Sequence, residues 1–380
     1  MIPILVLFLF SLTPFPALAI ENDVSMVGHP GAVFALVIFI LSYVAVLFEE
    51  KTHLRKSKPV LLGAGIIWVA IAAIAPQYGI DHDGVHDAVF AGLEEFGSLL
   101  LFLLSAMTYI SVLQNRRVFY ALRSKLVRMG LNMRQLFWVT GLCAFFLSPI
   151  ADNLTTALVM GAVVMAVGAN NPKFVALACI NIVSAANAGG AFSPFGDITT
   201  LMVWQAGKIP FFDFFPLFFP ALVNFLVPAV IMSFFVHPHQ PLATAEIVTM
   251  RRGAKTIICL GLLTIAMAVG FEQMLGLPPF MGMMMGMGLL MMFAWYIRHV
   301  QKGESEDLDV LELVATAEWD TLLFFYGVMF CVGGLAYLGY LNIVSTAMYG
   351  GLGPDVTNIA MGFASALVDN IPVMFAVLSM

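Results

Sequence analysis

The chain has 380 residues, 61% hydrophobic and 11% charged, with a formal charge of −6 and a mean hydropathy of +0.96. Soluble domains carry about a quarter charged residues, so a water-soluble fold is excluded and the solvent is lipid. Basic residues confined to short loops exclude nucleic-acid binding. The four cysteines (Cys143, Cys179, Cys259, Cys331) lie singly in apolar runs and read as small buried hydrophobes, not as a disulfide framework or metal site.

Residues 1–19 end in Ala17-Leu18-Ala19 and read as a signal peptide, with a retained first helix as the alternative because the basic n-region is missing. Apolar runs long enough to span a bilayer follow near 31–49, 59–79, 88–113, 174–206, 211–237, 254–275, 278–298 and 318–344. Two further segments, near 135–168 and 356–380, are apolar but interrupted. Lys and Arg stay cytoplasmic. That places Lys51 to Lys58, Arg116 to Arg134, Arg251 to Lys255 and Arg298 to Lys302 inside, and the acidic loop Gln77 to Asp87 outside.

Parity then demands a hairpin. Between the loops at 114–134 and 251–255 the chain must cross an even number of times, yet three apolar segments intervene. The segment around Ser148-Pro149-Ile150-Ala151-Asp152-Asn153, with Pro and Asp at its centre, is expected to enter and leave on one side. The pattern also repeats. Glu95-Phe96 and Glu318-Trp319 each open an apolar run, and each is followed by an Asp-Asn pair with Ser four residues before the Asp: Asp152-Asn153 after Ser148, Asp369-Asn370 after Ser365. Loop charges orient the halves oppositely, as in many secondary transporters. The domains are therefore residues 1–19, a first repeat at 31–237 and an inverted second repeat at 251–380. Met380 falls within an apolar run, so the second repeat reads as truncated. The fold class is all-α, polytopic, with inverted repeats, re-entrant hairpins and broken helices.

An ionisable group at membrane depth costs about 2.5–3.5 kcal/mol, which makes it a functional candidate. Three qualify: Asp152, Asp197 and Asp369. The stretch Asn181 to Thr200 (NIVSAANAGGAFSPFGDITT) contains Gly189-Gly190, Pro194 and Gly196, which do not support a regular helix. Such backbone survives in a bilayer only where protein or a water-filled cavity covers it. Around it stand Asn187, Ser193, Asp197, Thr199 and Thr200, all oxygen donors suited to a small hard cation. The same polar pattern recurs at Asp152-Asn153-Leu154-Thr155-Thr156. A kinked helix with satisfied polar groups is the plainer reading, but two breaks with carboxylates exceed what packing requires. Asp152 and Asp197 are expected to share a site with Asn153, Asn187 and the threonines. Carboxylates so placed repel, and one holds a proton until a cation displaces it. Exchange of sodium or lithium for protons follows.

Glu94 and Glu95 read as a proton relay or as an interfacial helix start, where acids favour the N-terminus. Glu318 reads as the latter. His82, His86, His237, His239 and His299 fall in loops or at span ends and read as solvated. The run Met281 to Met292 suggests Cu(I) thioether ligation, but Gly282 and Gly286 at GxxxG spacing read more simply as close helix packing.

The strings SPIADNLTTALVMGAV, NAGGAFSPFGDITTLMVWQ and SALVDNIP together resemble the NhaD-type sodium/proton antiporters of the ion-transporter superfamily. The resemblance implies two inverted repeats whose hairpins and broken helices meet near the membrane centre. It implies a cation path through Ser148, Asp152, Asn153, Asn187, Asp197, Thr199, Thr200, Ser365, Asp369 and Asn370, with Thr155 beside them and sodium at Asp152 and Asp197. It also implies a membrane acid at Glu95, a homodimer in the inner membrane, and no cofactor beyond the transported ions. Rival readings are an arsenite or dicarboxylate permease, whose anion site would favour half-helix N-termini without carboxylates, and an intramembrane aspartyl protease. The protease needs a GxGD-like motif, and Phe195-Gly196-Asp197 lacks the first Gly.

Overall fold

The computed structural model describes residues 25–168, 171–238, 247–300, 308–367 and 369–379. Residues 1–19, the expected signal peptide or first helix, His239 and residues 301–307 lie outside them. The described residues are helical and turn-linked with no strand, and nine of their helices are long and apolar enough to cross a membrane.

Two compact units divide the chain. One runs from Gly97 to Trp319; the other combines the residues up to Phe96 with those from Asp320 onward. In the second, discontinuous unit, α1 (Pro30–Leu47) and α2 (Ser57–Ile74) pack side by side. Gly63 admits Ser42 between them: a Cβ there would lie 2.3 Å from the Ser42 hydroxyl. Gly327 and Gly334, on the helix Trp319–Leu338, make the same concession to Val60 and Ile67 of α2. That helix ends at Leu338 rather than near 344, because Gly339 takes φ 95° and turns the chain. Met26 N–H donates to the Leu338 carbonyl at 3.2 Å, tying the segment before α1 to this end.

The long helix α3 (His82–Asn115) belongs to both units and begins earlier than expected, so His82 and His86 stand in its first turns rather than in a loop. The Gly97–Trp319 unit contains a helical triplet. α4 (Val118–Arg128) leads to α5 (Met133–Ala151), α6 (Asn153–Gly168) and α7 (Pro172–Gly190). α5 opens on a capping box: Gln135 N–H donates to Asn132 Oδ1 at 2.8 Å while Gln135 Oε1 accepts the Asn132 N–H at 3.0 Å. α7 opens on Asn171, whose Oδ1 accepts the Phe174 N–H at 3.1 Å, followed by Pro172 at the first helical position. Asn171 Nδ2 also reaches Met133 Sδ at 3.6 Å, so the chain has returned from the end of α6 to the start of α5. α5 and α6 thus form a helical hairpin.

α7 then repeats the direction of α5 in a fixed register. Asn181 Nδ2 donates to the Phe137 carbonyl at 3.1 Å and Ser193 Oγ to the Pro149 carbonyl at 3.1 Å, both across 44 residues. Later residues of α7 meet later residues of α5, so the two helices run parallel. Their approach is close: a Cβ on Gly189 would sit 2.1 Å from the Phe145 carbonyl oxygen, and one on Gly141 2.4 Å from Asn181 Nδ2. Pro149 lacks the N–H that would bond the Phe145 carbonyl, so the facing glycine meets an oxygen with no intrahelical donor. Phe145, Phe192, Phe218 and Phe225 complete the packing around this seam.

Further along, α8 (Ile198–Gln205), the helical stretch Phe211–Ser233, α9 (Ala254–Leu275) and α10 (Pro279–Val300) follow the expected segments. The single crossing expected at 174–206 is divided, helix ending at Gly190 and resuming at Ile198. Gly282 and Gly286 of α10 press on Ala268 and Thr264 of α9, and Tyr109 donates to the Gly286 carbonyl at 2.8 Å. Helix packing thus accounts for Gly282 and Gly286, whereas a Cβ on Gly288 would meet nothing within 4 Å. Of the cysteines only Cys331 is buried; Cys143 and Cys179 are half-buried and Cys259 is exposed. An apolar run facing lipid leaves its small residues on the outside, which corrects the expectation of four buried thiols.

Gly189→Ala should lower the thermal midpoint of the detergent-purified protein, at a cost of about 1–3 kcal/mol for overpacking against fixed backbone. Gly161→Ala, on the same hairpin where a Cβ meets nothing within 4 Å, should leave it unchanged or raised. Equal midpoints would contradict the seam.

Candidate functional site

The register brings two helix breaks level. Counting 44 residues on from the break at Asp152 reaches Gly196, beside Asp197. At the first break Asp152 adopts φ 54°, ψ 160°, one of three non-glycine residues with positive φ among those described. With ψ at 160° this lies outside the αL well, in a region nearly confined to glycine, so Asp152 holds a strained backbone. Oδ1 accepts the Thr155 N–H at 2.7 Å, and the carbonyl accepts the Thr156 N–H at 3.2 Å. Asp152 therefore ends α5 and caps α6.

The second break is built the same way. Asp197 caps α8: its Oδ1 accepts the Thr199 N–H at 2.9 Å and the Thr199 hydroxyl at 2.7 Å. Thr200 donates to the carbonyls of Ser193 and Asp197 at 2.9 and 2.8 Å, folding 193–197 into a compact loop. Gly190 and Gly196 touch there; a Cβ on Gly196 would lie 2.6 Å from Gly190 Cα. Ser148, fully buried, donates to the Ala186 carbonyl at 2.7 Å.

Asn153 joins the two breaks. Its Nδ2 donates to Asp197 Oδ2 and to Asn187 Oδ1, each at 3.0 Å. Asp152, Asn153, Asn187, Asp197, Thr155 and Thr199 thus form one cluster at the ends of α5, α6, α7 and α8. Two helix N-termini, each equivalent to roughly half a positive charge, face two carboxylates there. Asp152 and Asp197 are half-buried, Asn187 is exposed, and neither carboxylate forms an ion pair among the described residues.

The remaining sequence-derived residues lie in the other unit. Asp369 caps the helix Asn370–Leu378, accepting the Ile371 N–H at 3.2 Å, and stands 3.7 Å from Lys56 Nζ. Ser365 is half-buried and Asn370 exposed; Glu94 and Glu95 are exposed neighbours on α3. Ser193, named among the oxygen donors, instead clamps the Pro149 carbonyl. Sequence reasoning passed over one contributor. Lys56 sat in a basic stretch read only as an orientation signal, and nothing local links it to Asp369.

A family model described as "Citrate transporter" matches residues 43–380. The Na+/H+ antiporter NhaD of Alkalimonas amylolytica is 51% identical to this chain, covering 99% of it and 82% of the relative. The chain belongs to the NhaD sodium/proton antiporter family. The NhaD of Vibrio cholerae is also 51% identical, over 95% of this chain and 80% of its own length. Sodium/proton antiporter 1 of Arabidopsis thaliana is 32% identical, over 90% of this chain and 59% of its own. The chain thus spans about four fifths of its bacterial relatives' length. It is a multi-pass membrane transporter and not an enzyme, which sets the intramembrane protease aside.

The backbone at Asp152 has its own test. Asp152→Gly and Asp152→Ala both lose the cap, but only glycine relaxes at positive φ, so alanine should be less stable by about 1 kcal/mol. Thermal melts of the two purified variants decide this; equal midpoints would contradict the positive φ.

Proposed function

We propose that the protein exchanges sodium, or lithium, for protons across the cell inner membrane by alternating access, cation and proton competing for the carboxylate oxygens of Asp152 and Asp197. The observation that carries this is the Asn153 bridge. It holds Asp197 at the break where Asp152 caps its own helix, so that two acids from separate helices share one polar cluster. The names of the bacterial and plant relatives agree with it.

Each residue then has a role. Asp152 and Asp197 carry the exchangeable charge and ligate sodium. The Asn187 carbonyl oxygen and the hydroxyls of Thr155, Thr199, Thr200 and Ser148 complete an oxygen environment suited to a hard cation. Asn153 positions Asp197. When sodium leaves, the repelling carboxylates regain a proton, so coupling needs no further device. The second break, with Ser365, Asp369 and Asn370, serves as the inverted counterpart in a repeat at 251–380 to the first at 31–237. Glu95, with Glu94, feeds protons to the path. The protein works as a homodimer in lipid.

The citrate name of the matching family raises the anion reading. An anion at these breaks would bind the free N–H groups of the helix N-termini. Here the Thr155 and Thr199 amides donate to Asp152 and Asp197, and the Ile371 amide to Asp369. Each N-terminus carries its own carboxylate, which favours cations and disfavours anions.

Everted vesicles should lose an imposed ΔpH on addition of sodium or lithium chloride. Asp152→Asn and Asp197→Asn should abolish the response with normal membrane insertion. Vesicles that ignore both cations but accumulate citrate would replace this reading with the anion one. Asn153→Ala, which frees Asp197 Oδ2, should retain exchange and raise half-saturating sodium by about tenfold, a change of about 1.4 kcal/mol; an unchanged value would remove the bridge from the mechanism.

A further inference from the structure

Lys56 immediately precedes α2 in the discontinuous unit. Its Nζ lies 3.7 Å from Asp369 Oδ2 and 4.6 Å from the centroid of the Phe324 ring. Both side chains of the ion pair are about 30% exposed. A solvated surface pair of this kind contributes little to stability, yet this ammonium is gripped on two sides, by a carboxylate and by an aromatic face that also attracts cations. Its anchorage is firm: the next residue, Ser57, donates its hydroxyl to Asp320 Oδ1, one turn before Phe324 on the helix Trp319–Leu338. The Tyr43 hydroxyl is buried and without a hydrogen-bond partner among the described residues.

Asp369 is therefore unlike the acids of the other unit. Asp152 and Asp197 are held by amide and hydroxyl donors alone, whereas Asp369 has a resident cation. An alkali ion approaching it must displace a tethered ammonium, which has no translational entropy to lose on binding and acts at a high effective concentration.

We propose that Lys56 is a built-in competitor that occupies Asp369 and weakens sodium binding by the second break. The inference rests on the cation-exchange reading above and adds an asymmetry between the breaks that their matching Asp-Asn pairs do not suggest.

The test uses the full chain as wild type, Lys56→Gln, Lys56→Arg, Asp369→Asn and the Lys56→Gln/Asp369→Asn pair. Half-saturating sodium is read at one pH, with choline chloride holding ionic strength, from ΔpH dissipation in everted vesicles and from sodium-dependent thermal stabilisation of purified protein. Lys56→Gln should lower half-saturating sodium by about three- to tenfold, one conventional step of up to 1.4 kcal/mol. Lys56→Arg should keep the wild-type value, and Lys56→Gln should have no effect in the Asp369→Asn background, as a coupled pair requires. An unchanged value in Lys56→Gln, or an equal shift without Asp369, overturns the proposal. A wild type indifferent to sodium overturns the cation-exchange reading instead. In that case, or if Lys56→Gln does not fold, acylation of Lys56 by an amine-reactive ester, read by mass spectrometry, decides: Asp369→Asn should speed it several-fold, and equal rates overturn the ion pair.

Discussion

The structure of the candidate site depends on two parallel helices locked 44 residues apart. Asn181 reaching the Phe137 carbonyl and Ser193 reaching the Pro149 carbonyl set that register. Gly189, lying against the Phe145 carbonyl, permits the distance. Because Pro149 withholds an N–H, a carbonyl that an ordinary helix would saturate stays directed at the neighbouring backbone. A shift of one residue would rotate each side chain by about 100° around its helix and separate Asn153 from Asp197. The contacts that join the two breaks follow from this alignment.

With the breaks level, local capping chemistry does the rest. An interrupted helix in lipid must satisfy its freed amides from within the protein. Here aspartates do it, at Asp152, Asp197 and Asp369. One carboxylate thereby answers two needs: it satisfies the backbone of a broken helix and places charge where a cation site requires it. The cost of a membrane acid is partly offset by the positive end of the helix it caps. This coupling explains why Asp, with its short reach to the N–H two or three residues on, stands at each break rather than Glu.

The two units divide the chain in space differently from its division by sequence repeat. One unit is continuous from Gly97 to Trp319, while the other joins the chain's two ends. Within the joined unit, Gly63, Gly327 and Gly334 bring α1 and the helix at 319–338 against α2, and the start of α2 carries Lys56 to Asp369. Contacts spanning some three hundred residues leave no local trace in composition or periodicity.

Much was decided by sequence alone. The apolar content and run lengths require a helical membrane protein, because no other element satisfies its backbone hydrogen bonds segment by segment in lipid. The parity of basic loops requires a hairpin between 134 and 174, and Pro149 and Asp152 mark its tip. Gly189, Gly190, Pro194 and Gly196 announce the second break, since regular helix is unfavourable through them. The helix ends at Leu338 and the early start at His82 were not legible, since a positive-φ glycine and a solvated first turn look like their surroundings. Tertiary structure alone decided that Asn153 is the link between the acids, that Ser148 and Ser193 serve backbone carbonyls, and that a loop lysine rests on Asp369. Sequence periodicity reports which residues share one helix face, but which faces meet, and in what register, is set by packing between distant segments.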